Sequence, residues 1–226
     1  MEKNQSELCF EVLRRFHKAG ILENIILIGS WCTYFYQYCF KQIKPVPLKT
    51  RDIDFLVEYP KKIRNKIDIP DLLKDLGFVT SFKGKAGYIK LDHPELIIEF
   101  LVPERGRGTD KPSPLPQFGI NATSLRFLNL LTDNTVAVRL DDNFCVTVPH
   151  PINFGLHKLI ISQRRKMEDK SAKDLNMALN ILSDLIKNGE AEKIIEVYSA
   201  VPKKWQKKII NVLENSGEKE ILKIFK

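Results

Sequence analysis

The sequence holds few of the signals that assign a chain to a specialised class. Its four cysteines, Cys9, Cys32, Cys39 and Cys145, form no C-x-x-C pair, and no cysteine or histidine pair has zinc-finger spacing. Cys32 and Cys39 lie in a strongly apolar segment, which predicts reduced thiols buried in a core. The four histidines, His17, His93, His150 and His157, form no nucleophile arrangement with a serine or cysteine. No apolar run approaches the roughly 20 residues of a membrane span. The opening MEKNQSELCFEVLRRF is charged and helical in pattern and lacks the apolar core of a signal peptide. A cytoplasmic protein without a membrane partner is therefore expected. Internal repeats and low-complexity tracts are also missing.

The chain does have the means to fold. Its 226 residues are 43% hydrophobic and 28% charged, the balance of a globular protein with a real core. The formal net charge is +8, of which residues 151–226 carry +5 and residues 1–150 carry +3. An excess of positive charge favours polyanionic partners such as nucleic acid or nucleotide phosphates, although a lysine-rich, solvated helical surface has the same composition.

Hydrophobic periodicity divides the chain near residue 150. Residues 6–18 read as an amphipathic helix with Leu8, Val12, Leu13 and Phe16 on one face. A short apolar strand at 24–28 is stopped by Gly29, and an aromatic-rich helix is expected over 31–42, broken by the prolines of KPVPLK. DIDFLVE (52–58) and ELIIEFLV (95–102) read as strands, 70–76 as a short helix, and 78–91 as a hairpin around Lys83–Gly87. Pro103–Gly119 is rich in proline and glycine and reads as a surface connection, neither helix nor central strand. Residues 123–131 suit a short helix or strand. TVAVRL and FCVTV then flank a hairpin turn at Asp141-Asp142-Asn143. From Pro151 onward the pattern is helical: one helix to about 166, one opened by a capping-box-like Ser171-x-x-Asp174, and shorter ones near 190–200, 202–214 and 217–225. The expected fold class is α/β (α+β): a short mixed sheet with helices packed on it in residues 1–150, then a helical C-terminal domain in 151–226.

Three features carry chemistry. Side chains alternate along a strand, so Asp52 and Asp54 point to one face with Cα atoms about 6.5–7 Å apart, while Ile53 and Phe55 enter a core. Two adjacent carboxylates repel unless a cation lies between them, and Mg²⁺ suits an all-oxygen site. Gly29 permits a tight strand-to-helix turn, and Ser30 stands at the following helix start, where a hydroxyl and backbone N–H groups can hold a phosphate. Glu99 is a single acid in an apolar strand, costly there unless it is paired, metal-bound or on a solvent face. Each feature alone has a plainer reading: a solvated edge strand, a helix cap, an acid paired with a lysine. Together they supply a triphosphate anchor and carboxylates able to hold two metal ions.

Gly29, Ser30, Asp52, Asp54 and Glu99, in this order, resemble the pattern of the DNA polymerase β-like nucleotidyltransferase superfamily. TRDIDFLV is similar to prokaryotic members of it and to the AbiE-type toxin enzymes, as are PHPINFGLHKLIISQRR and AKDLNMAL farther on. The resemblance implies transfer of an NMP from an NTP to a hydroxyl acceptor, RNA (tRNA included) or protein, with two Mg²⁺ ions, or Mn²⁺ in their place. It implies Asp52, Asp54 and Glu99 as metal-holding catalytic acids, and Gly29, Ser30, Lys158, Lys173 and Asp174 as the nucleotide pocket. It also admits an antitoxin partner. The chain departs from the pattern in its long interval between Ser30 and Asp52 and in Met177, where the toxin enzymes often carry an aspartate. A non-catalytic module that binds nucleic acid or a partner protein is the alternative. An enzyme that modifies a small cationic antibiotic is a second one, which the +8 charge disfavours.

Overall fold

The computed structural model describes residues 3–44, 50–58, 66–108, 111–140 and 144–226. Helix α1 (Lys3–Lys18) comes first and buries Cys9, Val12, Leu13 and Phe16 completely, with Leu8 only partly covered. Full burial of such side chains contributes about 1.5–3 kcal/mol each. A 3-10 turn leads into β1 (Ile25–Ile28), followed by α2 (Trp31–Tyr36) and β2 (Asp52–Val57). Then come α3 (Ile69–Leu73), β3 (Val79–Lys83), β4 (Tyr88–Asp92) and β5 (Ile97–Pro103). β6 (Ser113–Leu115), β7 (Ile120–Leu125), α4 (Asn129–Thr132), β8 (Thr135–Arg139) and β9 (Cys145–Pro149) complete the part before Pro151.

The sheet is mixed and runs β1-β2-β5-β4-β3, with β7 beside β5 and β6 on its far edge. β2 and β5 are parallel, and so are β5 and β7; the other pairs are antiparallel. β8 and β9 form a separate two-stranded sheet. The register of β2 on β5 aligns Asp52 with Ile97, Ile53 with Ile98, Asp54 with Glu99 and Phe55 with Phe100. One face of this pair is apolar: Phe55 stacks on Phe100 at 5.6 Å, and Phe16 of α1 packs on Phe55 at 5.3 Å. A slip of one residue would drive the acids into that core, so burial of one face fixes where the other face points. Gln5 of α1 adds a clamp by donating to the carbonyls of Thr50 and Glu95, just before the two strands.

Five helices end the chain: α5 (Pro151–Ser162), α6 (Glu168–Lys187), α7 (Ala191–Ala200), α8 (Lys203–Ser216) and α9 (Lys219–Lys223). α5 is buried on nearly every side. Pro151 opens it, and His150 caps it by accepting from the Ile152 N–H. α6 lies close along it: a Cβ on Gly155 would come within 3.0 Å of the Leu182 side chain. No helix among the described residues is long and apolar enough to cross a membrane. The mixed sheet followed by helices is the α+β architecture expected from the sequence.

Several local expectations are corrected. α2 ends at Tyr36 and not at 42, because the following residues are held by tertiary bonds. Gln42 donates to Glu190, and the Lys44 N–H to Asp184. Cys39 is exposed, while Cys32 is buried as expected. Within Pro103–Gly119, β6 and a 3-10 turn bury Leu115 and Phe118, so its second half belongs to the core. Pro114 is tolerated because β6 is an edge strand that pairs with β7 alone. Residues 123–131 divide into both alternatives, the end of β7 and α4. α5 stops at Ser162, short of 166, and α6 starts at Glu168, with acids in its first turn, before Ser171. Ser171 is not a cap; its hydroxyl donates to the Ser162 carbonyl. The prolines of KPVPLK and the turn at Asp141-Asp142-Asn143 lie outside the described residues.

Candidate active site

The polar face of β2 and β5 floors a cleft of about 580 Å³. Asp52, Asp54 and Glu99 reach it from the two strands, and Gly29 and Ser30 from the end of β1. Lys158 of α5 and Lys173 and Asp174 of α6 close it from the C-terminal side. Residues that the sequence singled out in segments 144 positions apart thus border a single cavity.

Gly29 sits where it does for two reasons. Its φ is +76°, a left-handed conformation, and a Cβ there would lie 2.5 Å from Asp54 Oδ2. The turn therefore passes directly over the Asp54 carboxylate. Gly29→Ala is expected to lose about 1–3 kcal/mol, of which 1–2 is the left-handed backbone term. Gly20→Ala is the control, since Gly20 has φ +70° but nothing within 4 Å of its notional Cβ. Urea denaturation of both variants checks this; equal losses would mean that contact with Asp54 has no weight. Ser30 precedes α2, and its hydroxyl makes no capping bond. α2 has only six residues, so its macrodipole is small, and the turn offers a phosphate its N–H groups and this hydroxyl.

Asp52 is exposed and Asp54 half-buried. Burial, then the negative charges of Glu99 and Asp52, push Asp54 up to about 7, against the opposing pull of Lys158 and Arg165. Burial and its acidic neighbours thus favour the protonated form of Asp54, and a bound cation would displace that proton. Glu99 takes the lysine-paired alternative that the sequence left open. It forms an ion pair with Lys90 on the adjacent β4 while still lining the cleft. Among the described residues no three acidic, cysteine or histidine side chains converge closely enough to hold an ion by themselves. A site for Mg²⁺ does not require this, because Mg²⁺ keeps several waters and takes substrate phosphate oxygens beside one or two carboxylates.

Lys158 and Asp174 are each about 7% exposed and joined by a 2.5 Å bond from Nζ to Oδ1. Arg165 reaches the other oxygen, with Nε 2.7 Å from Oδ2. Burial opposes ionisation of Asp174, but the charges and hydrogen bonds of Lys158 and Arg165 outweigh it and hold the carboxyl below its usual range. Asp174 is therefore a mid-helix acid that orients two cations into the cleft, with no capping role. Burial and the charge of Lys158 depress Lys173. Counting Lys83, Arg165 and Lys170, five cations face four acids around the cavity.

Lys90, Arg165 and Lys83 receive no role of their own in the sequence reading. Lys90 had a usable signal: continuing the antiparallel register of Leu91 on Ile98 sets Lys90 beside Glu99. Arg165 had none, because its partner is brought close only by the turn between α5 and α6.

A sequence profile for a family described as "Nucleotidyltransferase" matches residues 7–201. No curated protein matches the chain. Among solved structures, an antigenic nucleotidyltransferase-like protein from Paracoccidioides brasiliensis superposes with a TM-score of 0.53 at 13% identity, covering 97% of this chain and 93% of that one. ANT(2")-Ia, crystallised in complex with adenylyl-2"-tobramycin, gives 0.50 at 11% identity over 88% of this chain and 97% of its own. The solution structure of the same antibiotic-resistance factor gives 0.51 at 12% identity, over 97% and 100%. At these identities the likeness is one of fold.

Proposed function

The chain belongs to the nucleotidyltransferase family that matches residues 7–201, and from that membership we propose a metal-dependent transfer of an NMP from an NTP to a hydroxyl acceptor on RNA or protein. One observation carries the proposal: the β2–β5 register sets Asp54 beside Glu99, on the same face as Asp52 and directly beneath the Gly29 turn. In this reading Gly29 and Ser30 grip the β- and γ-phosphates. Lys158 and Lys173 neutralise the triphosphate from the opposite wall, and Asp174 positions Lys158. The division near residue 150 then separates a core, which supplies the metal-holding acids, from a helical domain, which supplies Lys158 and Lys173.

Asp52 and Asp54 would hold the two Mg²⁺ ions, with Glu99 sharing one, and bound Mg²⁺ supplies charge neutralisation at the triphosphate. The acceptor oxygen bonds to the α-phosphorus, the bond from the α-phosphorus to the bridging oxygen breaks, and pyrophosphate leaves. The hydroxyl proton passes to Glu99, whose orientation Lys90 fixes. Catalysis is then mainly positioning and electrostatic stabilisation.

Incubation with labelled NTPs and Mg²⁺, offering RNA and protein extracts as acceptors, tests the proposal. Metal-dependent appearance of label in a macromolecular acceptor is expected. Absence of label, or label that survives Asp52→Ala with Asp54→Ala, contradicts it.

A further inference from the structure

A second cavity, of about 720 Å³, adjoins the cleft and shares Tyr88, Thr123, Leu125 and Arg165 with it as common wall. Its charge is lopsided: Arg107, Arg126, Arg164 and Arg165 line it against the single acid Glu104. Glu104 is engaged by Arg126 at 2.8 Å, and Arg165 by Asp174. Arg107 and Arg164 have no carboxylate partner among the described residues.

Two further features mark this cavity as a built site. Arg164 lies over the ring of Phe127, 5.4 Å from its centroid, and Phe127 is wedged edge-on against Trp205 at 5.1 Å. Phe127 is held at φ 69°, a left-handed conformation that is strained for a bulky residue. His157 borders the same cavity, is only 6% exposed, and leaves both ring nitrogens without a hydrogen-bond partner. Such a group normally has a partner, and none of the described residues supplies one. Burial, and next the charge of Lys158, hold His157 down at about 3, so at neutral pH it offers one donor and one acceptor and no charge.

We propose that this cavity is the acceptor subsite and that it takes the end of a polynucleotide strand, with the terminal hydroxyl turned toward Asp54 and Glu99. The inference rests on the nucleotidyl-transfer reading of the adjoining cleft. Guanidinium forks match phosphate oxygens, an aromatic ring with an arginine plane over it forms a stacking surface for a base, and a neutral imidazole suits a base edge or a ribose hydroxyl. A small polycation would meet four arginines, so an acceptor of the kind carried by ANT(2")-Ia is a poor match here.

The test is equilibrium binding of short fluorescein-labelled RNA and DNA strands of one sequence, each ending in a 3′-hydroxyl, to the full chain without NTP or metal. Fluorescence anisotropy is followed across a salt series. Arg107→Glu with Arg164→Glu, both exposed and outside the nucleotide cleft, should weaken binding about 10-fold or more. It should also flatten the slope of log Kd against log salt by about two, one for each lost phosphate contact. The RNA and DNA arms show which sugar is preferred. Unchanged strand affinity in the double variant, equal competition by polyglutamate, or tighter binding of tobramycin than of either strand overturns the proposal. If the variant loses strand binding but the wild type transfers no NMP, the transfer reading fails and the polynucleotide site stands. If transfer to a strand occurs and the variant leaves it unchanged, this assignment alone fails.

Discussion

Asp54→Asn should lower NMP transfer about a thousandfold or more while leaving the protein as stable as before, or more so. The first half follows from position. Asp54 lies under the Gly29 turn and between Asp52 and Glu99, so amidation removes a charge at the point where the proposed ions and the α-phosphate meet. The second half follows from electrostatics. An aspartate whose folded pKa is raised to about 7 opposes folding above its unfolded value near 3.9, because the folded state resists losing the proton. Asparagine removes that penalty, a gain of up to about 4 kcal/mol in metal-free buffer at neutral pH. Few substitutions separate activity from stability so cleanly. Parallel measurement of transfer rate and thermal midpoint decides it. If both fall together, Asp54 is a structural group and not a catalytic one.

The largest loss of stability is expected at the other wall. Lys158→Met should cost about 3 kcal/mol, because Asp174 stays buried with only Arg165 to balance it. Introducing Asp174→Asn into the same chain should recover part of this loss, and a double-mutant cycle measures how much. Additive losses would show that the Lys158–Asp174 contact carries no coupling. The pair has a pH signature as well. The folded pKa of Asp174 is depressed, so its contribution is present above the unfolded value near 3.9 and is lost as pH falls through the lower folded value. Wild type should therefore lose more stability on acidification below about pH 4 than the double variant does.

Much of the acidic half of the site was legible in the sequence, for a physical reason. The alternation in DIDFLVE and LIIEFLV forces the acids to one face once Phe55 and Phe100 are committed to the core beneath Phe16. What periodicity could not show is that β2 and β5 are parallel neighbours in a register that aligns Asp54 with Glu99. The basic half was legible only as a resemblance. The bond from Lys158 to Asp174 joins two helices, and Arg165 lies in the turn between them. The early end of α2 has the same origin, since Gln42 and the Lys44 N–H bond to groups about 140 residues away. The arginine-lined cavity was hidden because its arginines come from separate segments, around 107, 126 and 164, that mean nothing until the sheet edge and α5 bring them together.

The central claim is transfer of a nucleoside monophosphate, and the position of the label decides it most directly. Wild-type protein is incubated with Mg²⁺ and an RNA strand, once with NTP labelled at the α-phosphate and once at the γ-phosphate. The α-label should appear in the strand and the γ-label in free pyrophosphate. Label from the γ-position in the acceptor, or no transfer from either position, would contradict the account.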